Sequence, residues 1–179
     1  MNKKNNHWLI IGGAKSGKSA YALKLAKKLI KNGVKDKNRL FIATSKAKDD
    51  EMRQKIEAHK KERGPLWHTI EEEIKIGYSL KKEIGKFDVA IIDCITMWIT
   101  NLILTCPEQI NSEIDYLIDS LKESKAPVIL ISNEVGLGII PENRLARRFR
   151  EELGLANQKL ASLCQNVVFM MAGLTLKMK

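Results

Sequence analysis

Cysteine is scarce in this chain, and the three present, Cys94, Cys106 and Cys164, are odd in number and widely spaced. They suit reduced thiols in a reducing compartment and offer no metal-ligand spacing. Long hydrophobic runs are missing too. The longest apolar region, 94–106, is interrupted by Thr96, Thr100 and Asn101 and falls short of the roughly 20 residues a membrane-spanning helix needs. Near the start, Lys3 and Lys4 precede only the short apolar stretch Trp8, Leu9, Ile10, Ile11, too little for a signal peptide or an anchor. A cytoplasmic protein without membrane insertion is therefore expected. No internal repeat, low-complexity tract or linker divides the chain, and one domain over 1–179 is expected, large enough to bury about 70 % of its unfolded surface.

What is present is an ordinary globular composition, 44 % hydrophobic and 29 % charged, with 31 basic against 21 acidic residues and a net charge of +10. Such a charge fits a nucleic-acid surface, a site for polyanionic small molecules, or a lysine-rich proteome. The lysines at 24, 27, 28, 31, 35, 37, 46, 48, 55, 60 and 61 are scattered, with no aromatic stacking series between them. Solvated helix faces, and no nucleic-acid partner, are the expectation.

Short apolar runs alternate with longer amphipathic ones, the pattern of an α/β protein whose mostly parallel sheet carries helices on both faces. Strands are predicted at 7–11, 40–44, 88–93, 127–132 and 166–171. Helices are predicted at 19–31, 49–63, 72–86, 95–105, 110–124 and 143–164. Segment 133–143, with Gly136, Gly138 and Pro141, reads as a long loop after a strand end, where open α/β sheets place ligand contacts.

The first predicted strand runs into Gly12-Gly13-Ala14-Lys15-Ser16-Gly17-Lys18-Ser19, a complete G-x-x-x-x-G-K-[ST] phosphate-binding loop leading into a helix. Glycines let backbone N–H groups turn toward phosphate oxygens, and the helix N-terminus adds its positive dipole end. Lys18 is placed to neutralise the β- and γ-phosphates, and the Ser19 hydroxyl to ligate Mg²⁺. Asp93 ends a predicted strand, where its carboxylate either helps hold Mg²⁺ or caps the helix that follows. His59 shares a helix face with Ile56 and Arg63. From spacing alone a packed or solvated histidine is the plainer reading, and a nitrogen nucleophile toward phosphorus the other. His7 and His68 read as structural.

These residues occur in order with Ile42-Ala43-Thr44-Ser45, Asp49-Asp50-Glu51-Met52, Ile56-x-x-His59, Arg63, Trp67, Asp93-Cys94-Ile95-Thr96, Asn101-Leu102, Asn133-Glu134-Val135-Gly136-x-Gly138, Pro141, Arg144, Phe149-Arg150 and Asn157-Gln158. Together they resemble the bifunctional adenosylcobinamide kinase/adenosylcobinamide-phosphate guanylyltransferase family of cobalamin biosynthesis, along essentially the whole chain. The resemblance implies a RecA-like P-loop fold, a homotrimer, and two reactions with ATP and GTP as substrates. Adenosylcobinamide is phosphorylated by a nucleoside triphosphate, then GMP passes from GTP to the new phosphate through a GMP-histidine intermediate, releasing pyrophosphate. The matching histidine is His59. By the same matching, nucleotide contacts fall on Gly12, Gly13, Ala14, Lys15, Ser16, Gly17, Lys18 and Ser19, on Ala43, Thr44 and Ser45, on Lys60, Lys61, Glu62 and Arg63, and on Glu71 and Asp93. Family members commonly carry Arg where Lys15 stands, which keeps the charge but loses bidentate geometry. The alternatives are a P-loop enzyme with one of the two activities, or a nucleic-acid-associated P-loop ATPase.

Overall fold

A computed structural model describes residues 6–30, 38–45 and 64–179. The predicted helix 49–63 lies outside the described residues, as do His59, Lys60, Lys61, Glu62 and Arg63.

Five of the seven strands begin as the apolar runs the sequence predicts. β1 is Trp8–Gly12, β2 Arg39–Ala43, β3 Trp67–Glu71, β4 Val89–Asp93, β5 Val128–Asn133, β6 Asn166–Met171 and β7 Leu174–Lys177. They form one sheet in the order β3-β2-β4-β5-β1-β6-β7, parallel except for the antiparallel β6–β7 hairpin. The helices are α1 (Lys18–Leu29), α2 (Ile76–Glu83), α3 (Ile95–Thr105), α4 (Ile110–Glu123) and α5 (Arg144–Leu163), with a short 3₁₀ turn at Ile84–Lys86 after α2.

Strand side chains alternate between two apolar layers, as a sheet covered on both faces requires. Leu9, Leu40, Ile42, Ala90, Ile92, Val128, Leu130 and Val167 pack with α2 to α5. Ile10, Phe41, Ile91, Ile129, Ile131 and Val168 pack with Ala22, Leu25 and Ala26 of α1. Parallel pairing aligns the carboxyl ends of β1 to β6 on one edge, which is where a ligand is met in such sheets.

Two strands are additions to the sequence reading. β3 mixes polar and apolar residues, WHTIE, and is held because buried Trp67 meets Phe41 edge-on at 6.0 Å with the Arg39 guanidinium 5.9 Å over its ring. β7 has four exposed residues; a two-residue turn, Ala172 and Gly173 with φ of 51° and 79°, folds it back on β6. The predicted helix 72–86 starts later, at Ile76. Glu72 is the cause: its Oε1 accepts from the backbone N–H of Ile74 and Lys75 at 2.9 and 2.8 Å, closing a local turn instead.

His7 is structural in this fold. It is fully buried, its Nε2 lies 2.8 Å from the Leu121 carbonyl, and its Nδ1 accepts from Val128 N–H at 3.2 Å. Burial lowers its pKa below 6.5, against the carbonyl contact that raises it. The unfolded chain therefore takes up a proton on His7 before the folded one does. Its contribution to stability is complete above pH 6.5 and declines as pH falls from 6.5 toward the lower folded value. In that window the unfolding free energy of the native chain should lose up to about 1.4 kcal/mol per pH unit more than that of a His7→Gln variant. Urea titrations at several pH values check this; parallel pH slopes would refute it. His68 is exposed and stacks on Phe87, centroids 5.5 Å apart.

Candidate nucleotide-binding site

β1 ends at Gly12 and α1 starts at Lys18, so the five residues between them make the phosphate loop. Each glycine is there for a different reason. A side chain on Gly12 would collide with the backbone carbonyl of Met170 on β6 and come within 2.9 Å of Ser16 Oγ. Gly13 meets nothing, so its face of the loop is open. Gly17 sits at φ 94° immediately before the helix, a conformation that favours glycine. Lys15 also takes the left-handed region, φ 57°. The requirement for glycine at 12 thus comes from the neighbouring strand rather than from a phosphate.

Lys18 is buried and arches back over the loop, its Nζ donating to Gly12 O at 3.0 Å and Gly13 O at 2.6 Å. Burial lowers its pKa, and the Asp93 carboxylate opposes that shift. Ser19 Oγ donates to Asp93 Oδ2 at 3.0 Å. The residue pair singled out for Mg²⁺ is therefore in contact, from the first turn of α1 to the end of β4.

The helix-cap alternative for Asp93 is not what the structure shows. Cys94 is the N-cap of α3, its Sγ accepting from Met97 N–H at 3.4 Å. Burial first, then the Asp93 charge, pushes the Cys94 thiol up to about 11, so it stays neutral. Cys164 is raised by burial to about 12, and all three cysteines are free.

Thr44 is a structural member of the site. It is fully buried; its Oγ1 donates to Cys94 O at 2.7 Å and accepts from Cys94 N–H at 2.8 Å. Its own N–H donates to Asp93 O at 3.1 Å, and its carbonyl accepts from Asn101 Nδ2 at 2.8 Å. With its hydroxyl committed on both sides, Thr44 fixes the backbone around Asp93. Ala43 and Ser45 are half-buried beside it. Ala43 pairs with Asp93 on one side and with Glu71 on the other, so these residues share one stretch of the carboxyl edge.

A second polar network surrounds the end of β5, which runs between the loop strand and the Asp93 strand. Asn133 N–H donates to Thr96 Oγ1 at 2.8 Å, Asn133 O accepts from Asn157 Nδ2 at 3.2 Å, and Asn157 Oδ1 accepts from Ser132 Oγ at 2.6 Å. Sequence reasoning assigned these residues no role. The available signal was Asn157 on the apolar face of α5, a buried amide that must have partners.

Ser19 and Asp93 offer a hydroxyl and a carboxylate. No group of three or more His, Cys, Asp or Glu residues that could hold a metal occurs among the described residues. Two protein oxygens fit Mg²⁺, which keeps several waters and takes one or two side chains plus substrate phosphates. They do not fit a closed structural metal cage.

The family model described as cobinamide kinase / cobinamide phosphate guanyltransferase matches residues 8–178. Over 172 residues the chain is 38 % identical to the bifunctional adenosylcobalamin biosynthesis protein CobP of Pseudomonas aeruginosa, covering 96 % of each. It is 36 % identical over 186 residues to the bifunctional adenosylcobalamin biosynthesis protein CobU of Escherichia coli, covering 96 % of this chain and 98 % of that protein. The protein of the same name in Salmonella typhimurium is 37 % identical over 185 residues, with the same coverage.

Proposed function

This chain belongs to the cobinamide kinase / cobinamide phosphate guanyltransferase family, and from that premise we propose that it carries out both reactions in adenosylcobalamin biosynthesis within one catalytic domain. It phosphorylates adenosylcobinamide with a nucleoside triphosphate, then transfers GMP from GTP to the phosphate it has made, yielding adenosylcobinamide-GDP and pyrophosphate. The observation that carries the reading is the contact of Ser19 with Asp93 beside buried Lys18, the arrangement that phosphoryl transfer needs.

In the first reaction the acceptor hydroxyl oxygen bonds the γ-phosphorus while the bridging oxygen leaves with the nucleoside diphosphate. Lys18, at the mouth of the loop, neutralises charge on the moving phosphoryl group. Ser19 and Asp93 would hold Mg²⁺, which when bound neutralises β- and γ-phosphate oxygens. Thr44 and Asn101 keep Asp93 in place. In the second reaction we assign His59 as the nucleophile: its nitrogen lone pair bonds the α-phosphorus of GTP and the bond to pyrophosphate breaks. Lys60, Lys61, Glu62, Arg63 and Glu71 are assigned to the nucleotide in that step, the basic excess acting locally on phosphates rather than as a nucleic-acid platform. The working form is a homotrimer in the cytoplasm.

Replacing Asp93 with asparagine keeps the shape and removes the charge that attracts the ion. Activity should fall tenfold or more at a fixed low Mg²⁺ concentration and recover partly as Mg²⁺ is raised. Mg²⁺ titrations of both half-reactions, with labelled ATP and labelled GTP, check the site and the two activities together. A variant with native activity and native Mg²⁺ dependence would remove Asp93 from the metal site.

A further inference from the structure

On the β6 side of the phosphate loop lies a cavity of about 370 Å³ whose wall includes Gly13 to Ser16 itself. The opposite wall is Glu134 and Leu137 from the loop after β5, with Phe169, Met170 and Met171 at the end of β6. The volume lies toward the small end of the roughly 300–1,000 Å³ typical of small-molecule sites.

This wall is tied to the loop. The turn after β6 donates its Gly173 N–H to the Ser16 carbonyl at 3.2 Å, and Glu134 N–H donates to Gly12 O at 3.2 Å. Glu134 is further fixed by the Gly136 N–H, which it accepts at 2.5 Å. Two large apolar side chains stand exposed at the cavity, Leu137 at 84 % and Met171 at 70 %, which is unfavourable unless something apolar covers them.

We propose that this cavity is a purine subsite, seating the base of the triphosphate that donates its γ-phosphoryl group, with the polyphosphate passing into the adjoining loop. The inference rests on the assignment of the loop to nucleotide binding and adds a direction to it. A purine has two apolar faces, which Leu137, Phe169, Met170 and Met171 can cover, and a polar edge with N–H donors, which the Glu134 carboxylate accepts. It needs to lie within one nucleotide's length of the loop, and this cavity shares the loop's own residues. Of the residues assigned to the guanylyl-transfer GTP, Glu71 lies the other way from the loop, at the end of β3 on the far edge of the sheet. One phosphate loop thus serves two bases that leave it in opposite directions, which suits a chain that uses a triphosphate first as γ-phosphoryl donor and then as nucleotidyl donor.

The test is equilibrium binding to the whole chain and to Leu137→Glu and Met171→Glu, using ATP, GTP and inorganic tripolyphosphate with Mg²⁺. Expected is a Kd at least tenfold higher for ATP or GTP in each variant, with tripolyphosphate within twofold of the native value. Unchanged affinity for both nucleotides in both variants overturns the proposal. Should a variant lose tripolyphosphate as well, its loop is damaged, and crosslinking of 8-azidopurine triphosphates to the native chain decides instead. Label on the peptide bearing Leu137 or residues 169–172 supports the subsite; label elsewhere only overturns it. A native chain that binds neither tripolyphosphate nor nucleotide defeats the phosphate-loop assignment itself, a result distinct from normal tripolyphosphate binding without a base in the cavity.

Discussion

Lys18→Ala should lower phosphoryl-transfer turnover by a factor of at least 10²–10³, the scale seen when one preorganised charge-stabilising group is removed from a water-poor site. The ammonium is buried with its charge held against the desolvation that lowers its pKa, so it is aimed before any substrate arrives. Its two partners are the Gly12 and Gly13 carbonyls. Gly13 is exposed, so water can replace the lost donor there, and the thermal midpoint should move by only a few degrees. Turnover by a coupled assay and melting by circular dichroism separate the effects. Near-native turnover in the folded variant would sink the assignment of the loop.

His59→Ala should divide the two activities. Native protein incubated with α-labelled GTP should acquire a GMP label that is acid-labile and alkali-stable, the behaviour of a phosphorus–nitrogen bond. The variant should lose that label and the guanylyl transfer, by a factor of 10³ or more, because no other group would form the covalent intermediate. Kinase turnover should fall less than tenfold, since phosphoryl transfer depends on positioning and charge rather than a protein nucleophile. A variant that still labels, or a native protein that never does, would favour direct transfer to the corrinoid phosphate and leave His59 without a catalytic role.

The loop and Asp93 were legible in the sequence because their signals are local: a fixed glycine spacing after an apolar run, and a carboxylate closing another. The contact of Ser19 with Asp93 follows once both strands point the same way in one sheet. What stayed hidden depends on partners distant in sequence. The collision that demands glycine at 12 comes from Met170, and nothing near position 12 announces it. The two hydrogen bonds of the Thr44 hydroxyl to the Cys94 backbone likewise join residues 50 positions apart. Cys94, set aside as chemically silent, takes the capping position that Asp93 was offered. β3 and β7 escaped notice because edge strands need bury little, and polar residues there do not break the pattern.

The placement of β1 at the centre of the sheet has a consequence for how the protein is made. His7, at its head, bonds residues 121 and 158 positions further along, and the strand itself lies between β5 and β6. A ribosome therefore releases the phosphate loop early, without the neighbours that shape it. Until β5 emerges the apolar strand that carries it has no sheet partner, a situation in which nascent chains are exposed to aggregation. The loop takes its final form only when β6, Asn166–Met171, emerges, so competence to bind nucleotide arises long after the motif is made, and a product truncated before β6 would have the motif without the site.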